Sequence, residues 1–210
     1  MTLPLASAFP FPFPFAFDAG PEPRECARVL AAAFAREPAV RWITGGSERA
    51  RRAWFDATLR TQAALPGARR HLIADASGRP VGAVVLTPPG ARPGPWAAGR
   101  WSARVSLRCG PRALVRTLLH LRAAEHLAPP GAWTLEFVGV VPEAAGRGAG
   151  RLLLDRALGG LPAPGGVFLT TADPVYVPLY RRFGFTLLEH RRVGPVTTAA
   201  MWRPGAAGAR

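Results

Sequence analysis

The residues best suited to chemistry fall in one short run, Gly146-Arg147-Gly148-Ala149-Gly150, with a further arginine at Arg151. Glycine adopts backbone conformations closed to other residues and lets the main chain approach an anion closely. If such a run opens a helix, the first N–H groups have no intrahelical partner, and the helix dipole adds partial positive charge there. That combination holds phosphate, and Arg147 and Arg151 would add full charges. The alternative is a glycine-rich turn that merely packs tightly. A nucleotide P-loop is excluded, because no Gly-Lys-Ser/Thr follows the glycines. The dinucleotide fingerprint fails as well: the spacing is G-x-G-x-G, with no acidic residue about 20 positions on.

The flanking residues supply the elements. Trp133 to Val141 is an apolar, β-branched run too short for a comfortable helix, and Pro142 stops it. Beyond the glycines, Leu152, Leu153, Leu154, Ala157 and Leu158 recur at helical spacing. The order is buried strand, glycine turn, amphipathic helix. A second unit follows over residues 167–185. It reads as a strand, Val167 to Thr170, then a short helix carrying Tyr180, then Arg181-Arg182-Phe183-Gly184-Phe185.

Together these stretches resemble the GNAT superfamily of acyl-CoA-dependent N-acyltransferases. Its pattern is a strand ending Val-x-Pro, then Gln/Arg-x-x-Gly-x-Gly/Ala opening a helix. Here Val140-Val141-Pro142 precedes Ala145-Gly146-Arg147-Gly148-Ala149-Gly150. Ala145 departs from the Gln/Arg position, which removes a side-chain contact and leaves the backbone cradle. A second pattern, Tyr-x-x-x-Gly-Phe, is met by Tyr180, Gly184 and Phe185; Tyr176 departs where relatives often carry a cofactor-contacting Asn. Within the superfamily, Arg28 to Phe34 with Pro38, Ala39 and Arg41, the helix before Leu127-Ala128-Pro129, the block Ala132 to Gly150, and Pro178 to Phe185 are similar to the puromycin N-acetyltransferase branch.

The resemblance implies an α/β (α+β) fold: a single GNAT-type domain over 23–204, with a central mixed, mostly antiparallel sheet of six to seven strands flanked by helices. It implies acetyl-CoA as co-substrate and transfer of its acetyl group, by direct attack, to an amine of a small molecule such as an antibiotic or secondary metabolite. Val138, Val140 and Val141 would offer main-chain groups to the pantetheine arm and the thioester carbonyl, an oxyanion-type contact. Arg147, Gly148, Ala149, Gly150 and Arg151 would hold the pyrophosphate, with Tyr176 beside the cofactor. Tyr180 would be the general acid, since a phenol of pKa about 10 is protonated at neutral pH; the alternative is a packed aromatic. Glu136 is the candidate general base, directly or through water. If Leu135 faces the site, strand alternation turns Glu136 away unless a bulge intervenes, and pairing with an arginine is its competing role. His71, His120, Glu125 and His126 are weaker candidates. Phe34, Trp42, Trp54 and Phe55 would touch the acceptor or belong to the core. No metal is implied. Two other readings stay open: acetylation of a peptide or protein amine, and a non-catalytic acyl-CoA-binding relative, motivated by Ala145 and Tyr176.

Composition sets outer limits. A chain of 210 residues fits one domain, and 49% hydrophobic residues can bury a sizeable core. The net charge of +14 is carried by arginine alone, without one lysine, amid abundant Ala, Gly and Pro. That matches GC-rich coding better than a nucleic-acid surface, and the arginines form no run or aromatic-interleaved stripe. Attraction for polyanionic coenzyme A is a sufficient reading, and the basic balance disfavours cationic acceptors. Cys26 and Cys109 match no metal or redox spacing, so a reduced, cytoplasmic protein is expected. No apolar run approaches the length of a membrane span. The expected partners are a small-molecule amine and, at most, a second copy in a homodimer.

Along the rest of the chain, Phe and Pro alternate from Phe9 to Phe15. Phe11 to Phe17 is placed as an edge strand, with an extended polyproline-like arm as the alternative. Residues 23–36 read as a helix, with Pro23 in its first turn. Glu37-Pro38 ends it, and a loop leads to Ser47, the expected N-cap of a helix from Glu48 to Ala64. A hairpin of His71 to Ala74 and Val81 to Thr87 follows, then a Pro/Gly loop over 88–100. Next come helix from Ser102 to Leu127, divided at Gly110-Pro111, and, after Tyr180, final strands Thr186 to Arg192 and Val196 to Arg203. Residues 205–210 read as a tail.

Overall fold

The computed structural model describes residues 15–205. The Phe9 to Pro14 part of the Phe/Pro segment and the tail beyond Gly205 lie outside the described residues. The elements run β1 (Ala16–Ala19), α1 (Pro23–Ala33), α2 (Pro38–Thr44), α3 (Glu48–Ala63), β2 (Arg69–Ala74), β3 (Pro80–Thr87), α4 (Pro95–Cys109), α5 (Pro111–Glu125), β4 (Trp133–Val140), α6 (Ala149–Gly159), β5 (Val167–Thr171), α7 (Val177–Arg182), β6 (Thr186–Val193) and β7 (Val196–Arg203). Short 3-10 turns at Pro142–Ala144 and Pro174–Tyr176 precede α6 and α7.

The strands form one seven-stranded sheet in the order β1-β2-β3-β4-β5-β7-β6. Every neighbouring pair is antiparallel except β4 and β5. Each face of the sheet carries its own core. On one, Leu30, Trp54, Phe55, Leu59 and Val105 from α1, α3 and α4 pack against Ala83 and Val85. On the other, Leu153, Leu154 and Ala157 of α6 pack with Val84, Leu86, Leu135 and Leu169. Two buried indoles tie the helices of the first face together: Trp54 Nε1 donates to Thr117 Oγ1 at 3.0 Å, and Trp101 Nε1 to Thr58 Oγ1 at 3.2 Å.

Prolines that the sequence presents as breaks turn out to be starts. Pro38 opens α2, where a loop was expected, because a missing N–H costs nothing in the first turn and Glu37 Oε2 caps it by accepting from Val40 N–H at 2.6 Å. Pro95 likewise opens α4 inside the expected loop over 88–100. The Ser47 cap is present, its Oγ accepting from Ala50 N–H at 3.3 Å. Among the described residues the edge strand covers Ala16–Ala19 and pairs with β2 from Ala16↔Ala74 to Ala19↔His71.

Two irregularities at the centre of the sheet shape a cleft. The parallel β4–β5 ladder contains only Trp133↔Val167 and Thr134↔Phe168, so the strands part beyond Thr134. On its other side β4 stays paired with β3, but the register slips: Val85 opposes Phe137 and Leu86 opposes Leu135. Glu136 is the extra residue of that bulge.

Candidate active site

The glycine turn comes first because its geometry is set by backbone alone. Gly146 and Gly148 take φ of 75° and 80°, the left-handed region that favours glycine. Gly148 is the N-cap of α6, and no side chain caps the helix. The first main-chain donor after the turn is Leu152 N–H, to Gly148 O at 3.0 Å. None of the N–H groups of residues 146–151 makes a well-formed main-chain hydrogen bond among the described residues. Arg147 is exposed there, and Arg151 is exposed but leans 3.7 Å from Asp155. The cradle is open, positive and built for an anion; Ala145 is exposed and takes no part in it.

The turn adjoins the strand that precedes it. A Cβ on Gly150 would lie 3.7 Å from Val140 Cγ2, and Ala149 packs in the same cluster as Val138, Val140 and Val141. Val141 N–H points to β3, where it donates to Val81 O at 2.8 Å. Alternation then turns the N–H groups of Val140 and Val138 to the other edge, into the space β5 leaves vacant. This edge suits an extended, amide-bearing ligand, which would complete the ladder.

Tyr180 stands on α7 within the same apolar cluster, 8% exposed, with its ring edge-on to Phe185 at 5.9 Å. Burial pushes its pKa well above that of a free phenol, and the nearby Tyr176 and Glu37 push it the same way. Tyr176, by contrast, is exposed.

Glu136 lies half-buried on β4 at the bulge, which breaks the alternation along the strand: Leu135 faces the α6 side, Phe137 the α1/α3 side and Val138 the α6 side again. Burial raises its carboxyl pKa, and the Thr87 hydroxyl beside it pulls the other way. Thr87 Oγ1 is itself buried without a well-formed hydrogen bond; the contact with Glu136 is a loose one. Arginine pairing of Glu136, the competing expectation, is not found among the described residues.

Phe34 packs edge-on to Phe55 at 5.5 Å and Phe137 at 5.9 Å, and crowds Gly139, where a Cβ would come within 2.9 Å of it. Trp42 is wedged between Arg116, whose guanidinium sits 5.4 Å from the ring centroid, and Gly194 of the β6–β7 turn. Both are half-buried wall residues, and a depression of about 360 Å³ beside Trp42 is bounded by Arg36, Pro38, Arg41 and the Gly45-Gly46 turn. Of the weaker candidates, His71 and His120 each bury Nδ1 without a partner, and burial lowers both pKa values. Three residues near this region carry no sequence motif: Thr87, Asp173 and Glu37. Glu37 had one readable signal, a carboxylate directly before a helix-opening proline.

Comparison with solved structures gives the same architecture. The chain is similar to a Corynebacterium glutamicum protein described as histone acetyltransferase HPA2 and related acetyltransferase, at 24% identity over 89% of this chain and 92% of that one, with a TM-score of 0.66. It is similar to an acetyltransferase from Thermus thermophilus, at 18% identity over 90% and 97%, TM-score 0.55. It also matches the C-terminal condensation domain of Ebony, at 12% identity over 90% and 99%, TM-score 0.60. The sequence model of the acetyltransferase (GNAT) family matches residues 30–185, which takes in both strands of the cleft, the glycine turn and Tyr180, and the protein belongs to that family.

Proposed function

We propose that the protein transfers the acetyl group of acetyl-CoA to an amine of a small molecule, an antibiotic or other secondary metabolite. The observation that carries this reading is the run of unclaimed N–H groups from Gly146 to Arg151 beside the parting of β4 and β5. Backbone donors at that helix tip suit a diphosphate, and the free edge of β4 suits the amides of a pantetheine arm. When bound, acetyl-CoA supplies an activated thioester. Val138 and Val140 turn N–H groups toward the carbonyl oxygen as it gains charge. Glu136 accepts the amine's proton, its raised pKa bringing it nearer the operating pH. The new C–N bond forms, the C–S bond breaks, and Tyr180 gives its phenolic proton to the departing sulfur. Burial keeps that phenol from ionising early.

The test is release of free thiol from acetyl-CoA across amine-bearing antibiotics, amino acids and peptides. Release that depends on a small amine supports the reading. Release with peptides alone, or with none of the panel, counts against it.

A further inference from the structure

Nine large apolar side chains are exposed among the described residues, and six of them lie on α4 and α5. Trp96 and Leu107 of α4 are 87% and 86% exposed, more than any other of the nine, and α5 adds Val115, Leu118, Leu119 and Leu121. Their spacing makes stripes. Trp96, Arg100, Ala103 and Leu107 recur along one side of α4, and Val115, Leu118, Leu119 and Arg122 along one side of α5, all of them exposed. Each stripe lies opposite the face its helix buries. Trp101 and Val105 of α4 and Ala113 of α5 enter one core, so both stripes point away from it into solvent. Apolar surface gathered in this way marks a place where something docks.

The charges on the same two helices select the partner. α4 and α5 carry six arginines and a single acid, Glu125, which is paired with Arg92. Arg100, Arg104, Arg112 and Arg122 are exposed and have no ion-pair partner among the described residues. We propose that this face docks on an anionic lipid bilayer, with the two helices lying in the plane of the headgroups. Trp96 and the leucines enter the boundary of the acyl chains, and the arginines meet the anionic headgroups, as in an interfacial amphipathic helix. A second copy of the chain fits less well, because a two-fold contact sets the same arginines against each other. Nucleic acid would neutralise the arginines and leave the leucines in water. Attachment of this kind is peripheral and needs no spanning segment. None of these residues belongs to the glycine turn, β4 or α7, so docking and acyl transfer stand or fall separately.

The test is cosedimentation with lipid vesicles. The protein should bind phosphatidylcholine vesicles containing about one-third phosphatidylserine roughly a hundredfold more tightly than phosphatidylcholine alone, and added salt should release it. Arg100→Gln with Arg104→Gln should cut that preference about tenfold. Trp96→Ser with Leu107→Ser should weaken binding to the anionic vesicles by about tenfold. All four side chains are exposed, so the melting temperature and coenzyme A affinity of both variants should stay those of the parent. No sedimentation with anionic vesicles, equal sedimentation with the two lipids, or binding that both variants retain in full overturns the docking face. So does a dimer on gel filtration that Trp96→Ser with Leu107→Ser splits, which gives the face to a second copy.

Discussion

In the proposed reaction Tyr180 and Glu136 take opposite roles for the same physical reason. Burial disfavours the charged form of each, so the phenol stays a donor and the carboxyl becomes a stronger base. Replacing Tyr180 with Phe should lower kcat by about 10- to 10⁴-fold, the span for losing a general acid, with coenzyme A affinity little changed; an unaltered kcat would remove Tyr180 from the chemistry. For Glu136 the active form is ionised, so kcat/KM falls as pH drops through its raised pKa. The acid limb should therefore begin above the usual carboxylate range. Thr87→Val removes the hydroxyl that favours the charged form and should move that limb further up, whereas Thr87→Ser should restore it; a pH profile of kcat/KM reads both. The place of Tyr180 on a short helix after β5 was legible from a local spacing, Tyr-x-x-x-Gly-Phe. The bulge at Glu136 was not. It depends on the register between β3 and β4, strands almost fifty residues apart in sequence, and a one-residue slip leaves no local mark.

At the scale of elements, the strand–turn–helix unit was readable because each piece has its own periodicity, and glycines mark the join. Gly148 at φ 80° tests it: Asp there meets both backbone strain and like charge toward a diphosphate. Gly148→Asp should abolish coenzyme A binding in a thermal-shift titration without unfolding the protein; retained binding would count against the cradle. Gly139 tests the packing of α1 on β4. A Cβ there would lie 2.8 Å from Ala33 Cβ, so Gly139→Val should destabilise by about 1–3 kcal/mol in urea unfolding. α2 and the start of α4 were missed for one reason. Proline before a helix looks identical to proline after one; a side-chain cap marks the start of α2, and none marks that of α4. In α2 that cap is Glu37, whose side chain accepts from Val40 N–H three residues on.

For the whole molecule, no helix among the described residues is long and apolar enough to cross a membrane, and stability comes from two cores sharing one sheet. His71 and His120 are half-buried, and burial holds their folded pKa values below the ordinary 6.5. The unfolded chain therefore binds protons first as pH falls. Their contribution is complete above about 6.5 and is lost as pH drops through the lowered folded values. A His71→Phe, His120→Leu variant should show a smaller fall in melting temperature between pH 7.5 and 5.5 than the parent. The sheet also has a consequence for solution dynamics. A strand at the heart of a protein usually surrenders its amide protons last, yet β4 is zipped on one flank and bare on the other beyond Thr134. Deuterium should enter every second amide of residues 135–140 rapidly in the free protein and slowly once coenzyme A is added, so that the innermost strand reports occupancy as a surface loop would elsewhere.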